Sequence, residues 1–228
     1  MDTRTVIFDF YGTLAGPAAP ARSIIDLMLA LGVNIPADAA ERWDIDHQDG
    51  VLHEEASISE AAYEEWVAKR WHGMLDDCGV AADRRDGIVG AIRAQIASFR
   101  VRAFPESQAV LTELRRRGLQ LGICSNWHWD LDTYIDQAGL TGLVDLALTS
   151  AQIGARKDHP LIYDRTLAAL QADAATTVFV GDSWAPDVLG PIRAGMRAVH
   201  VVRDDRPAPE LPAGAVRVRD LTEMLPHL

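Results

Sequence analysis

Five short, nearly continuous apolar runs punctuate the chain, at residues 6–8, 119–124, 143–148, 178–180 and 198–202. Runs of this length without polar alternation fit strands covered on both faces, the environment of a parallel sheet. Helical patterns lie between the later runs, at 105–117, 160–170 and 186–194. Each opens on Pro, and Gly118 follows the first, which is common helix punctuation. Strands alternating with helices predict an α/β fold built on a doubly wound parallel sheet.

Residues 15–99 break this rhythm. No run there reads as a strand, and segments 23–31, 37–46, 59–77 and 83–99 read as helices, with Gly32, Gly50 and Gly79 between them. Ser59, ahead of Glu60-Ala61-Ala62, has the chemistry of an N-cap. The expected organisation is a Rossmann-like core of residues 1–15 and 101–228 with an inserted helical cap domain at 16–100. The Pro-rich stretch 207–212 reads as loop and 220–225 as a short last helix.

Composition narrows the function. With 228 residues, 48% hydrophobic and 24% charged, the chain can bury a large core and is not expected to be disordered. A net charge of −11 argues against a nucleic-acid partner. The one basic triplet, Arg115-Arg116-Arg117, sits where a helix C-terminus favours cations. Any phosphate site must therefore be made locally positive by a metal, a lysine or helix N-termini. Cys78 and Cys124 show no metal or redox spacing, and Cys124 ends an apolar run, so it reads as a buried strand residue. No run approaches the ~20 apolar residues of a membrane span. The first ten residues lack the basic-then-apolar order of a secretory signal, so a cytoplasmic protein without membrane contacts is expected. No pattern specifies an oligomeric state.

In an open parallel sheet, ligands gather beyond the carboxyl ends of the strands, and four strand ends carry candidate chemistry. Asp9 follows the first run and continues as Phe10-Tyr11-Gly12-Thr13-Leu14. A carboxylate there is costly unless it has a partner or a task, Gly12 permits a tight turn, and Thr13 is expected to hydrogen-bond back and orient it. Ser125 and Asn126 follow the second run and offer a hydroxyl and a backbone NH to a phosphoryl oxygen. Lys157 lies in a Gly- and Pro-marked loop and can neutralise a carboxylate and a phosphate. Asp182 and Asp187 bracket the turn after residues 178–180, and paired carboxylates suit Mg²⁺, which takes hard oxygen ligands. Taken singly, each has a plain alternative: strand termination for Asp9, turn chemistry for Ser125 and Asn126, a surface lysine, and helix N-terminal acidity for Asp187.

In this order and spacing, with a helical insert after the first strand, the four resemble the haloacid dehalogenase-like hydrolase superfamily over nearly the whole chain. The resemblance implies that Asp9 is the nucleophile and forms a covalent aspartyl intermediate. It implies that Lys157 stabilises the nucleophile and the transferring group, and that Ser125 binds phosphate. It further implies that Mg²⁺ is held by Asp9, Asp182, Asp187 and the Tyr11 carbonyl. The implied activity is Mg²⁺-dependent hydrolysis of a small phosphate ester.

One position departs from the phosphatase pattern. Family phosphatases carry a second Asp two residues after the nucleophile as general acid and base; here that residue is Tyr11, a poor base at neutral pH. Tyr at this place resembles the 2-haloacid dehalogenases, whose halide leaves without a proton. Those enzymes use no metal and place Ser where Asp182 stands, with Asn two residues later. This chain has Asp182 and then Trp184. They also use a cap arginine, for which Arg22 and Arg42 are available. A third alternative is a non-catalytic binding or regulatory protein. For a phosphatase, His128 is the candidate to take over proton transfer, with His47 and His53 behind it. Trp127, Trp129 and Trp184 offer an aromatic wall or packing against the cap. The segment 46–50 is the candidate specificity loop.

Overall fold

The computed structural model describes residues 2–20, 22–36, 38–39, 43, 52–205 and 207–228. Its centre is a six-stranded sheet in the order β5-β4-β1-β6-β7-β8, with every neighbouring pair parallel. The strands are β1 Thr5–Phe8, β4 Gln120–Ser125, β5 Leu146–Thr149, β6 Thr177–Gly181, β7 Arg197–Val201 and β8 Ala215–Val218. β1 and β6 are buried at every position, which is why their sequences are apolar without alternation.

Successive side chains point to opposite faces of the sheet. Val6, Phe8, Leu121, Ile123, Val178 and Val180 join one apolar cluster with Val110, Leu111 and Leu114 of helix α4, Ser107–Arg116. Ile7, Cys124 and Phe179 face a second cluster with Ile162, Tyr163 and Leu167 of α7, Pro160–Leu170. The sheet is thus covered by helices on both sides, the doubly wound arrangement. α5, Asp132–Gln137, and α6, Ser150–Ile153, flank β5, and α8, Gly190–Arg193, leads into β7.

A separate apolar cluster belongs to the helical segment. It joins Met28 of α1, Ile24–Ala30, to Tyr63, Val67, Trp71 and Met74 of α2, Glu60–Asp77, and Ile88, Val89 and Ile92 of α3, Ala82–Ser98. The α2 residues recur at three- and four-residue spacing, one face of a helix. Ser59 caps α2, its side chain accepting from the Ala62 amide at 3.2 Å. The chain leaves the sheet region and returns to it through an antiparallel ribbon of β2, Ala15–Pro17, and β3, Val101–Ala103.

Several sequence expectations shift. β2 is a strand inside the stretch that read as strand-free, and β8 follows the Pro-rich loop unannounced. The helix expected to start at Pro105 starts at Ser107, whose buried hydroxyl donates to the Leu14 carbonyl at 2.7 Å. The helix expected at 186–194 divides into a π-helical turn, Ala185–Leu189, and α8. The last helix is a 3₁₀ segment, Thr222–His227. The segment 37–46 falls mostly outside the described residues. The basic triplet is engaged locally: Arg115 pairs with Asp145, and Arg116 and Arg117 with Glu113. Among the described residues, no helix is long and apolar enough to cross a membrane.

Candidate active site

Register aligns the strand ends. Phe8 stands opposite Ile123 on one side and Val180 on the other, and the Asp9 amide donates to the Val180 carbonyl at 2.8 Å. The residues that follow β1, β4 and β6 therefore meet at one edge, where the strand order changes direction.

The Asp9 carboxylate is only 6% exposed; its Oδ1 accepts from Ser125 Oγ at 3.0 Å and from Lys157 Nζ at 2.7 Å. Lys157, equally buried, also donates to Asp187 Oδ1 at 2.7 Å. Asp187, 1% exposed, accepts through Oδ2 from the Ser183 amide at 2.9 Å. Asp182 completes the group: each of Asp9, Asp182 and Asp187 offers a carboxylate oxygen, and these lie within 4.8 Å of one another. Two glycines make room for this. Gly12 has φ +93°, and a Cβ there would lie 2.4 Å from Asp182 Oδ2. A Cβ on Gly181 would lie 2.3 Å from Asp187 Cγ.

The electrostatics follow from three carboxylates facing one ammonium. Burial pulls the Lys157 pKa down, but Asp187 and Asp9 outweigh it and hold the amine above its ordinary range, so it stays charged. The Asp187 pKa is raised as well, up to about 7, chiefly through burial, which favours its neutral form; Lys157 opposes this and Asp9 adds to it. A divalent cation fits this donor set: the oxygens are hard, they converge, and their negative charge exceeds what Lys157 supplies. The turn after Asp9 is held by Gly12 N to Ala15 O at 2.8 Å and Ala15 N to Phe10 O at 3.0 Å, bonds that do not use the Tyr11 carbonyl.

The remaining sequence candidates distribute as follows. The Asn126 side chain, expected near substrate, is engaged with the lysine loop, donating to Lys157 O at 3.1 Å and accepting from Lys157 N at 2.8 Å. Thr13 does not bond back to its own turn: its buried Oγ1 has no hydrogen-bond partner among the described residues. The Tyr11 phenol is pushed above its ordinary pKa by burial and then by Asp182, so it is protonated at neutral pH. His128 stands on the wall of a cavity of about 570 Å³ together with Tyr11, Trp127 and Arg22. His53 is a buried packing residue, stacked on Trp66 at 5.0 Å with Nε2 3.1 Å from Ser150 O. His47, Arg42 and the segment 46–50 lie outside the described residues. The three tryptophans separate: Trp127 lines the cavity, Trp129 packs on Tyr63, and Trp184 packs on His200.

Two residues near the site were not among the sequence candidates. Arg203 donates to Thr13 O at 2.8 Å, to Gly12 O at 3.4 Å and to Glu106 Oε1 at 2.7 Å, and its guanidinium lies 3.7 Å over Phe104. His200 Nε2 lies 3.2 Å from the Asp182 carbonyl. Arg203 directly follows the apolar run 198–202, so extending the strand-end rule to that run finds it, whereas His200 lies inside the run.

Comparisons with known proteins bear on the family and the fold. A phosphoserine phosphatase from Thermus thermophilus is 33% identical over 66% of this chain and 60% of its own length. A phosphatase from Mycobacterium tuberculosis is 28% identical over 89% of each chain. Among solved structures, a 2-haloacid dehalogenase from Pseudomonas syringae covers 99% of this chain and 97% of its own, at a TM-score of 0.67 and 22% identity. A magnesium-bound HAD hydrolase from Bacillus subtilis covers 98% and 97%, at a TM-score of 0.63 and 19% identity. These last two establish the fold alone, and the first relative is matched over less than two thirds of its length. The family described as haloacid dehalogenase-like hydrolase matches residues 3–195, and the chain belongs to that family.

Proposed function

We propose that this protein is a Mg²⁺-dependent phosphatase of a small phosphorylated molecule. Residues 1–15 and 101–228 would act as the catalytic unit and 16–100 as a cap over it. The reading is carried by one observation: Asp9, Asp182 and Asp187 bring three carboxylate oxygens within 4.8 Å of one another, with Lys157 bonded to Asp9 and Asp187. That convergence suits a metal and a phosphate, and it is unexplained in a metal-free dehalogenase. The phosphatases among the relatives support the same reading.

Asp9 Oδ attacks phosphorus, forming an aspartyl phosphate as the ester oxygen departs with the bonding pair. Water then attacks the phosphorus as the P–O bond to Asp9 breaks and returns the carboxylate, and the proton the water gives up offsets the one the departed ester oxygen takes up. Lys157 keeps its proton throughout and offsets charge on the nucleophile and the phosphoryl oxygens. The Ser125 hydroxyl, donating to Asp9 in the free protein, turns to a phosphoryl oxygen when substrate binds. Asp9, Asp182, Asp187 and the Tyr11 carbonyl are the residues to hold Mg²⁺, whose charge would let the two anions approach.

The test is phosphate release from a panel of phosphorylated metabolites, with Mg²⁺ and with EDTA, beside halide release from 2-haloacids. Turnover lost with EDTA and lost at least about 10³-fold in Asp9→Asn supports the phosphatase. Tyr11 favours the dehalogenase as second reading, and halide release indifferent to EDTA would establish it instead.

A further inference from the structure

The cavity lined by Tyr11, two residues after Asp9, has a composition of its own. It lies between the helical segment and the sheet, measures about 570 Å³, and is within the usual range for small-molecule sites. Its wall is aromatic. The Trp127 ring centroid is 5.1 Å from that of Tyr134, 5.9 Å from Tyr11 and 6.3 Å from Phe99, and Tyr11 and Phe99 are 5.8 Å apart. Two guanidiniums, Arg22 and Arg100, also line it. Neither has a carboxylate within ion-pair distance among the described residues, whereas Arg115, Arg165 and Arg193 do. Arg100 gives only Nη1 to its neighbours, at 2.8 Å to Ala97 O and 2.9 Å to Phe99 O. In a chain of net charge −11, two such cations on one apolar cavity mark a place for an anion.

Tyr11 ties this cavity to the reaction. It lines the cavity and follows the nucleophile by two residues, the position at which the phosphatases that the sequence resembles carry an Asp. An ester whose leaving group is stable as an anion makes the least demand on Tyr11 or His128, which share this wall, for a proton. Alkanols ionise near pH ~16, close to water, whereas phenols ionise near pH ~10. An aryloxide departs with the electron pair of the P–O bond and takes its proton from water afterwards; an alkoxide is a far worse leaving group.

We propose that the cavity binds the leaving group of an aryl phosphate bearing a second anionic substituent, its ring against Trp127, Tyr11 and Phe99 and its anion between Arg22 and Arg100. The assignment names the substrate class within the phosphatase reading and rests on it. The binding of the released phenol tests the cavity without turnover.

Three esters separate the possibilities: 4-carboxyphenyl phosphate, phenyl phosphate and glycerol 3-phosphate. The expected order of kcat/KM places 4-carboxyphenyl phosphate roughly tenfold or more above phenyl phosphate, with glycerol 3-phosphate lowest. Arg100→Gln and Arg22→Gln should each bring the first ratio toward one, and calorimetric titration of 4-hydroxybenzoate should weaken in parallel. Thermal melting identifies a variant that fails to fold, in which case the other variant decides. Phosphate release without preference among the esters overturns the cavity assignment and leaves the phosphatase reading intact. Arginine-dependent binding of 4-hydroxybenzoate without release from any ester supports the cavity chemistry and overturns the phosphatase reading. Neither release nor binding overturns both.

Discussion

At the scale of single residues, the site depends as much on what is missing as on what is charged. Gly12 adopts a positive φ, and its missing Cβ is the space the Asp182 carboxylate occupies. Gly12→Ala should therefore fail twice, through backbone strain worth about 1–3 kcal/mol and through displacement of Asp182. We expect Mg²⁺ affinity and turnover to fall about 10- to 100-fold while the chain still folds, measured by metal titration and steady-state kinetics. Unchanged values would mean that Asp182 can move aside freely. Cys124 illustrates the opposite case, a residue without room to react. Burial pushes its thiol up to about 11, against a smaller opposing pull from Lys157. A raised pKa means less thiolate at a given pH, so Cys124 should resist iodoacetamide at pH 8 in the native protein and react once denaturant is added. Mass spectrometry of the native chain should find label only at Cys78, which is half-buried and whose thiol is raised as well. The sequence places Gly12 in a turn and Cys124 on a strand, but not the approach of Gly12 to a carboxylate far along the chain, because only the sheet register creates that contact.

At the scale of elements, what can be read from sequence follows burial. The fully covered strands β1, β4 and β6 announce themselves as unbroken apolar runs. β8 does not: it pairs with β7 on one side only, and its Ala-Val-Arg-Val sequence is half-exposed. β2 and β3 are three residues each, too short for any periodicity, and they become strands because they pair with each other. The same limit hid the role of Arg203, which leaves the loop after β7 to grip the loop after β1. Its place after an apolar run is legible, but its bonds to Gly12 O, Thr13 O and Glu106 are bonds between elements, which no local pattern announces. Arg203→Met keeps the bulk and removes the donors, leaving the largely buried Glu106 carboxylate without its partner. The expected cost is about 2–3 kcal/mol. For a chain of this size that is a fall of roughly 5–10 °C in Tm, together with a lower kcat as the nucleophile loop loosens. A melt at wild-type temperature would show that the grip contributes nothing.

At the scale of the whole molecule, charge decides what state of the protein is stable. The chain carries net charge −11, and two buried carboxylates, Asp9 and Asp187, converge with that of Asp182 around Lys157, which is bonded to the first two. Folding brings these carboxylates together out of water, which is unfavourable, and the unfolded chain has no such cluster to relieve. A divalent cation bound only by the folded state must therefore raise stability by RT ln(1 + [L]/Kd), about 2.7 kcal/mol at a concentration a hundred times Kd. Converted at about 2–4 °C per kcal/mol, Tm should rise by roughly 5–10 °C when Mg²⁺ is added to EDTA-treated protein. Sodium at matched ionic strength separates site binding from general screening of the acidic surface, which acts on exposed charges and is already strong at 0.15 M salt. Asp182→Asn should abolish the Mg²⁺ shift and, by removing one of three converging carboxylates, leave the EDTA-treated protein at least as stable as the parent. Calorimetry of the two proteins with and without Mg²⁺ measures both effects. An Asp182→Asn protein that keeps the full shift would place the metal elsewhere and remove the argument for a cation among these three carboxylates.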